Sequence, residues 1–286
     1  MDVMDLKADL GDLTGAADRV GQALHGSGRL GVAYSGGVDS AVLVALAVRA
    51  LGVHQVLAVL GVSPSLAAAE RTAAHEVAAF IGVPVVEVVT REGERAAYVA
   101  NGPDRCYQCK DELFTRIDAE LAARHGLDAV AYGENADDAR RLDRPGSRAA
   151  VEHGVLRPLA DAGLDKADVR RLARAMRLPC ADKPAAPCLA SRIPHSERVE
   201  PGKLRQVEEA EAALRGLGFS DSRVRHHGDV ARVELLAADL PRAVSAPTRE
   251  LIVTALRSAG FRFVAIDLAG IQSGAFTLSL LEARRD

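Results

Sequence analysis

Apolar positions along the first two thirds of the chain recur with two different spacings. Leu6, Leu10, Leu13, Ala17 and Val20 fall at helical intervals and predict a leading amphipathic helix within residues 1–28. Four compact apolar runs follow, at 29–34, 55–61, 84–89 and 127–132, each short enough for a buried strand. Between the first three lie Ala- and Leu-rich stretches, 39–51 and 65–80, without a helix breaker, which read as helices. Ser65, just before an Ala-rich run, is placed to cap the second of these. Asp165 is placed to cap a shorter helix further on. Strands alternating with helices predict an α/β fold, a parallel sheet covered on both faces. Ligands of such sheets bind beyond the carboxyl ends of the strands.

The pattern breaks at 178–200, which holds four prolines and little periodicity, the texture of a linker or a working loop. A helix carrying Val207, Ala210, Leu214 and Leu217 comes next, then strands at 222–227 and 231–236, a helix near 246–259 and a last strand at 261–268. That order predicts a small C-terminal α+β domain, so the chain divides into residues 1–185 and 186–286.

Between the first strand and the first long helix stands Ser35-Gly36-Gly37-Val38-Asp39-Ser40. The glycine pair allows a tight turn closed to other residues. The helix start then offers unpaired N–H groups to an anion. Ser35 and Ser40 add hydroxyls, and Asp39 is a carboxylate fit for a magnesium ion that bridges phosphates. This is a pyrophosphate cradle without the Gly-Lys-Ser/Thr ending of a Walker loop. The stretch resembles the signature of the PP-loop ATP pyrophosphatases, whose adenine nucleotide α-hydrolase-like fold splits ATP between its α and β phosphates to adenylate a substrate. At the ends of later strands, Ser63 is a candidate neighbour of the adenosine, and Gly133, Asn135 and the acids after them are candidates for nucleotide or magnesium.

Charge and composition narrow the partner. In 286 residues, 36 basic side chains face 39 acidic ones, a formal charge of −3, and aromatics are only 3%. Both count against nucleic acid, which calls for a basic face and stacking rings. No run of eighteen apolar residues exists and the start lacks a basic flank, so a cytoplasmic protein with no membrane partner is expected.

Four cysteines remain: Cys106, Cys109, Cys180 and Cys188. The Cys106-Tyr-Gln-Cys109 pair, expected just before the apolar residues of a helix, is open to zinc, redox or iron–sulfur readings. Structural zinc needs four ligands and there is no second such pair. A thioredoxin-like pair would follow the first strand. Three cysteines holding a 4Fe–4S cluster would leave one iron open, and Cys188 is the natural third ligand. Cys180 reads as a buried small hydrophobe. Cys188 has a second reading as a nucleophile, its thiolate raised by Lys183 and Arg192 if they are close in space. In the C-terminal domain Arg223 and Arg225 alternate on one strand with Arg232 on the next, and residues 192–232 hold eight basic against seven acidic side chains. That mixture suits a phosphate and carboxylates better than nucleic acid. Glu211, His227 and Glu234 are candidates to orient substrate or bind a metal, and of His226 and His227 only one can face it.

Taken together, Ser-Gly-Gly-Val-Asp-Ser, Asp104-Arg-Cys-Tyr-Gln-Cys-Lys110, Pro187-Cys-Leu-Ala-Ser-Arg-Ile-Pro194 and Arg223-Val-Arg-His-His-Gly228 resemble the LarE family over nearly the whole chain. The resemblance implies an ATP-dependent sulfur transferase for the nickel-pincer cofactor of lactate racemase, using magnesium. Its substrate would be a pyridinium mononucleotide with two ring carboxylates. It implies substrate contacts from Arg223, Arg225, Glu211, His227 and Arg232, nucleotide contacts from the cradle and Arg192, and a ring-shaped homo-oligomer. Members divide by sulfur source: some sacrifice the cysteine matching Cys188, and others hold a cluster on three cysteines, reloaded by a sulfur donor. The ligand count favours the cluster here. Amidation of an adenylate, tRNA thiolation and a nucleotide or iron–sulfur sensor are the rival readings.

Overall fold

The computed structural model describes residues 4–5, 9–140 and 145–271. It divides into two compact units, Met1–Glu92 with Cys106–Ala186, and Gly93–Arg105 with Pro187–Asp286. In the first unit β1 (Leu30–Tyr34), β2 (Val56–Val62), β3 (Val85–Val89) and β4 (Ala129–Tyr132) form one sheet in the order β3-β2-β1-β4, every pair parallel. This is the expected PP-loop α/β architecture. Strand alternation sorts side chains to two cores. Along β2, Val56, Ala58 and Leu60 join one apolar cluster, with Leu43, Val77 and Leu172 from helices Val38–Leu51, Ala68–Ile81 and Lys166–Ala175. Leu57 and Val59 join the other, with Phe114, Ile117 and Leu121. The Val38–Leu51 helix is buried on almost every side, which is why its sequence is apolar all round rather than striped.

The structure shifts several local expectations. The leading helix is Thr14–Leu24, preceded by a 3-10 turn at Gly11–Leu13, and Leu6 lies outside the described residues. Ser65 does not cap the next helix, which starts at Ala68 after Ala67. The Ser63 hydroxyl accepts from the Ser65 N–H (3.2 Å) and the Ser63 carbonyl from the Leu66 N–H (3.0 Å), so a local turn delays the helix. Asp165 does cap Lys166–Ala175, accepting from the Asp168 N–H at 2.8 Å. The cysteine pair lies near the start of Arg105–Arg116, ahead of its apolar residues Leu113 and Phe114.

In the second unit β5 (Ser222–His227), β6 (Val230–Leu235) and β7 (Phe263–Ile266) form a sheet in that order, β5–β6 antiparallel and β6–β7 parallel. Helices Pro201–Gly216 and Thr248–Ser258 bury one face through Leu214, Val224, Val233, Ile252, Leu256 and Phe261. A short helix, Leu240–Val244, precedes the second of them. No helix among the described residues is long and apolar enough to cross a membrane.

Candidate active-site residues

The cradle turns on two glycines that admit no side chain. Gly36 sits at φ +71°, and a Cβ there would meet Ala74 Cα at 2.7 Å. A Cβ on Gly133, just after β4, would meet the Ser40 nitrogen at 2.7 Å, so the end of β4 lies directly against the helix start. The loop is closed by its own serines. The Ser35 N–H donates to Ser40 Oγ (3.2 Å), Ser40 Oγ donates to the Gly37 carbonyl (3.1 Å), and the two hydroxyls are 3.2 Å apart. Asn135 caps the helix Ala136–Ala139, accepting from the Asp138 N–H. Its amide nitrogen donates to Asp39 Oδ1 (3.0 Å) and Asp138 Oδ2 (3.1 Å), and Lys166 Nζ donates to Asp39 Oδ2 at 2.5 Å.

A cavity of about 260 Å³ opens here, lined by Ser35, Asp39, Ser40, Lys110, Tyr132 and Glu134 among others. Lys110 Nζ stands 3.9 Å over the Tyr132 ring. Glu134, buried, accepts from the Ser147 hydroxyl and from Arg157 Nη1 (3.4 Å). Burial, then the Glu134 carboxylate, pushes the Tyr132 phenol far above its ordinary range. Hydroxyls, a lysine and a helix start beside paired carboxylates suit a phosphate chain with a divalent cation. The donors fit magnesium: Asp39 and Asp138 offer hard oxygens, and the Lys166 ammonium already places positive charge on Asp39. Ser63 does not line this cavity. It donates to Glu92 Oε1 at 2.5 Å, and Glu92 Oε2 is buried with no hydrogen-bond partner.

In the second unit the arginines are tightly held. Arg192 bonds Glu211 through Nε (2.8 Å) and Nη2 (3.2 Å), Arg225 bonds Glu234 through Nε (2.9 Å) and Nη2 (2.8 Å), and all four residues are buried. Arg232 reaches Glu234 (3.2 Å), Asp267 and His227 Nε2 (3.2 Å). Arg223 is also buried, and burial together with the Arg192 and Arg225 charges depresses its pKa. Arg192 also donates to the Pro187 carbonyl (2.7 Å) and Arg225 to the Ser191 carbonyl (2.9 Å), one on either side of Cys188 in its loop. Arg192, expected at the nucleotide, is engaged here with Glu211 and this loop. His226 is buried against Phe261 and Gln206, while His227 is exposed.

None of the four cysteines is in a disulfide. Cys106 and Cys109, three residues apart in one helical turn, share a face and can supply two thiolate ligands. Within neither unit do three His, Cys, Asp or Glu side chains among the described residues converge to hold a metal. Cys180 is buried in the core, which raises its pKa, as a structural thiol requires. Cys188 is exposed. The cations expected to activate it are engaged, Lys183 with Glu70 at 2.7 Å and Arg192 with Glu211. Glu134 stands in the polar cluster expected after β4, whereas Lys110, Tyr132 and Lys166 carry no periodic signal. Lys110 ends the cysteine motif and Lys166 follows a helix cap, which are the signals that point to them.

Comparison with known proteins agrees with this geometry. A family model, Asparagine synthase, matches residues 16–141, the stretch that contains β1 to β4 and the cradle. An uncharacterized protein of Synechocystis sp. is 40% identical over 85% of this chain and 90% of its own. An uncharacterized protein of Methanocaldococcus jannaschii is 31% identical over 59% of this chain and 65% of its own. The pyridinium-3,5-bisthiocarboxylic acid mononucleotide synthase of Lactiplantibacillus plantarum is 34% identical over 92% of this chain and 94% of its own. With that near-complete likeness and the cradle intact, the chain belongs to the LarE family of PP-loop, ATP-dependent sulfur transferases.

Proposed function

We propose that this chain uses ATP to adenylate a ring carboxylate of pyridinium-3,5-biscarboxylic acid mononucleotide and then replaces an oxygen by sulfur, for nickel-pincer nucleotide synthesis. A carboxylate oxygen attacks the α-phosphorus and pyrophosphate leaves. A sulfur nucleophile then attacks the acyl carbon, the C–S bond forms, and AMP leaves with the former carboxylate oxygen. Ser35, Ser40 and the helix start hold the phosphates, and Asp39 with Asp138 holds the magnesium that neutralises them. Arg223 anchors an anionic group of the substrate, with Arg225, Arg232, Glu211 and His227 around it. One observation carries the reading: two of the arginines in this buried cluster hydrogen-bond the loop that presents the exposed Cys188. Anion recognition and a thiol are thereby built into one piece of structure.

For the sulfur itself, a 4Fe–4S cluster on Cys106, Cys109 and Cys188 would supply a spare sulfide. The shared helix face of Cys106 and Cys109 supports this, since a sacrificial Cys188 has no use for the pair. The protein purified without oxygen is expected to contain iron and acid-labile sulfide near four per chain, both lost in Cys106→Ala. Absence of iron after anaerobic reconstitution would overturn the cluster. Loss of one sulfur at Cys188 after a single turnover, read by mass spectrometry, would then assign the sacrificial route. The Asparagine synthase match favours amidation as a second reading, but it is confined to the nucleotide half. Amidation needs no cysteine, so Cys106→Ala and Cys188→Ala would leave it unchanged.

A further inference from the structure

The loop Pro187–Pro194 is neither strand nor regular helix, beyond a single 3-10 turn at Leu189–Arg192, yet side chains take most of its carbonyls. Arg192 holds Pro187 and Arg225 holds Ser191. The remaining side-chain donors come from the segment Gly93–Arg105, which packs with the second unit although chain order sets it between β3 and the cysteine pair. Arg105 Nη1 donates to the Ala190 carbonyl at 3.0 Å, and Asn101 Nδ2 donates to the carbonyls of Ile193 (3.3 Å) and Pro194 (2.7 Å). Arg105 also donates to Asn101 Oδ1 at 2.5 Å, so the two donors brace each other. Asn101 is fully buried and stands at φ +57°, a left-handed backbone that few non-glycine residues adopt. Five of the eight loop carbonyls, those of Pro187, Ala190, Ser191, Ile193 and Pro194, are bound in this way. Cys188, in the middle of the clamped loop, remains exposed.

We propose that Asn101 and Arg105 are positioning residues for sulfur transfer: they lock the Cys188 loop to the peptide that runs directly into Cys106. The role rests on the sulfur-transfer reading above. It also explains why a segment next to the cysteine pair packs with the second unit rather than with its neighbours in the first. Buried donors hold a backbone more firmly than water does, because leaving either side unpaired inside the protein is costly. The clamp is therefore a means of fixing where the Cys188 thiol stands.

Two variants test this. Arg105→Lys keeps the charge and loses the planar fork. Asn101→Gly keeps the left-handed backbone accessible and removes only the amide. In each, the rate of Cys188 alkylation by iodoacetamide is followed by mass spectrometry with neither ATP nor substrate present, beside circular dichroism. Pyrophosphate release and thiocarboxylate formation are measured separately. The expected result is a several-fold change in Cys188 alkylation and a fall in sulfur transfer on the order of 10²-fold, with pyrophosphate release at the wild-type rate. Unchanged alkylation and unchanged sulfur transfer in the folded variants would overturn the proposal. An equal loss of both reactions would also overturn it, since that marks a general structural role. If wild type makes no thiocarboxylate, the reaction assignment fails, while the alkylation rates still report on positioning.

Discussion

At Gly133 the missing side chain lets the end of β4 lie against the cradle, since a Cβ there would stand 2.7 Å from the Ser40 nitrogen. Gly133→Ala must therefore push the strand end away from the cradle. The variant is expected to fold but to lose at least about tenfold in ATP affinity, roughly 1.4 kcal/mol, measurable by equilibrium binding. The cysteines separate at the same scale. Cys180 is 2% exposed and Cys188 is exposed. Cys180→Ser places a hydroxyl in the apolar core and should cost about 1–3 kcal/mol in urea unfolding, with sulfur transfer retained. Cys188→Ser should show the reverse, full stability and no transfer. Spacing separated these two thiols only in part. Leu-Pro before Cys180 pointed to burial, while the engagement of Lys183 and Arg192 by carboxylates lay in partners distant along the chain.

Elements are tied by side chains that no local pattern announces. His153, just past helix Pro145–Glu152, bonds Asp111 (2.8 Å) and Asp118 (3.3 Å) and stacks near Phe114. Burial acts to lower its pKa, but the two carboxylates outweigh it and the net shift is upward. The unfolded histidine titrates near its ordinary value, so this contribution to stability is complete below about pH 6.5 and fades as pH rises through the higher folded value. The urea midpoint of the wild type should fall across that window relative to its His153→Gln variant, and the two should run parallel at higher pH. The β5–β6 pair offers a stronger case. Glu234 is fully buried between Arg225 and Arg232, and Glu234→Ala leaves Arg225 buried without its carboxylate. That should cost about 3–5 kcal/mol, seen as a large loss in the urea midpoint. Replacing both by apolar residues should recover much of the stability but none of the substrate affinity.

For the whole molecule, 36 basic against 39 acidic side chains leave no surplus to hold a polyanion. Retention on immobilised tRNA is expected to be weak and to lack the steep salt dependence that counterion release gives. A steep dependence would bring back tRNA thiolation. The arginines of the second unit illustrate why gross composition and local field differ. Residues 192–232 are nearly balanced in charge, yet Arg192, Arg223 and Arg225 are buried and close enough for their charges to act on one another. Buried guanidiniums of this kind suit a small anion, and a nucleic acid calls for an exposed basic face.

The chain by itself determined the parts that depend on neighbours in sequence. Apolar runs of strand length, the Ser35–Ser40 turn and the Asp165 cap were legible because period, glycine freedom and capping are local physics. So was the order helix–strand–strand–helix–strand after residue 200. Only the tertiary structure decided the rest. Ser65 lost its cap to a turn closed by Ser63, and Lys110 and Lys166 reached the cradle from segments far along the chain. Residues 93–105 packed with the second unit, where Asn101 and Arg105 found the carbonyls of a loop about ninety residues away. Buried polar groups must find partners wherever the fold brings them, and that search leaves no period in the sequence.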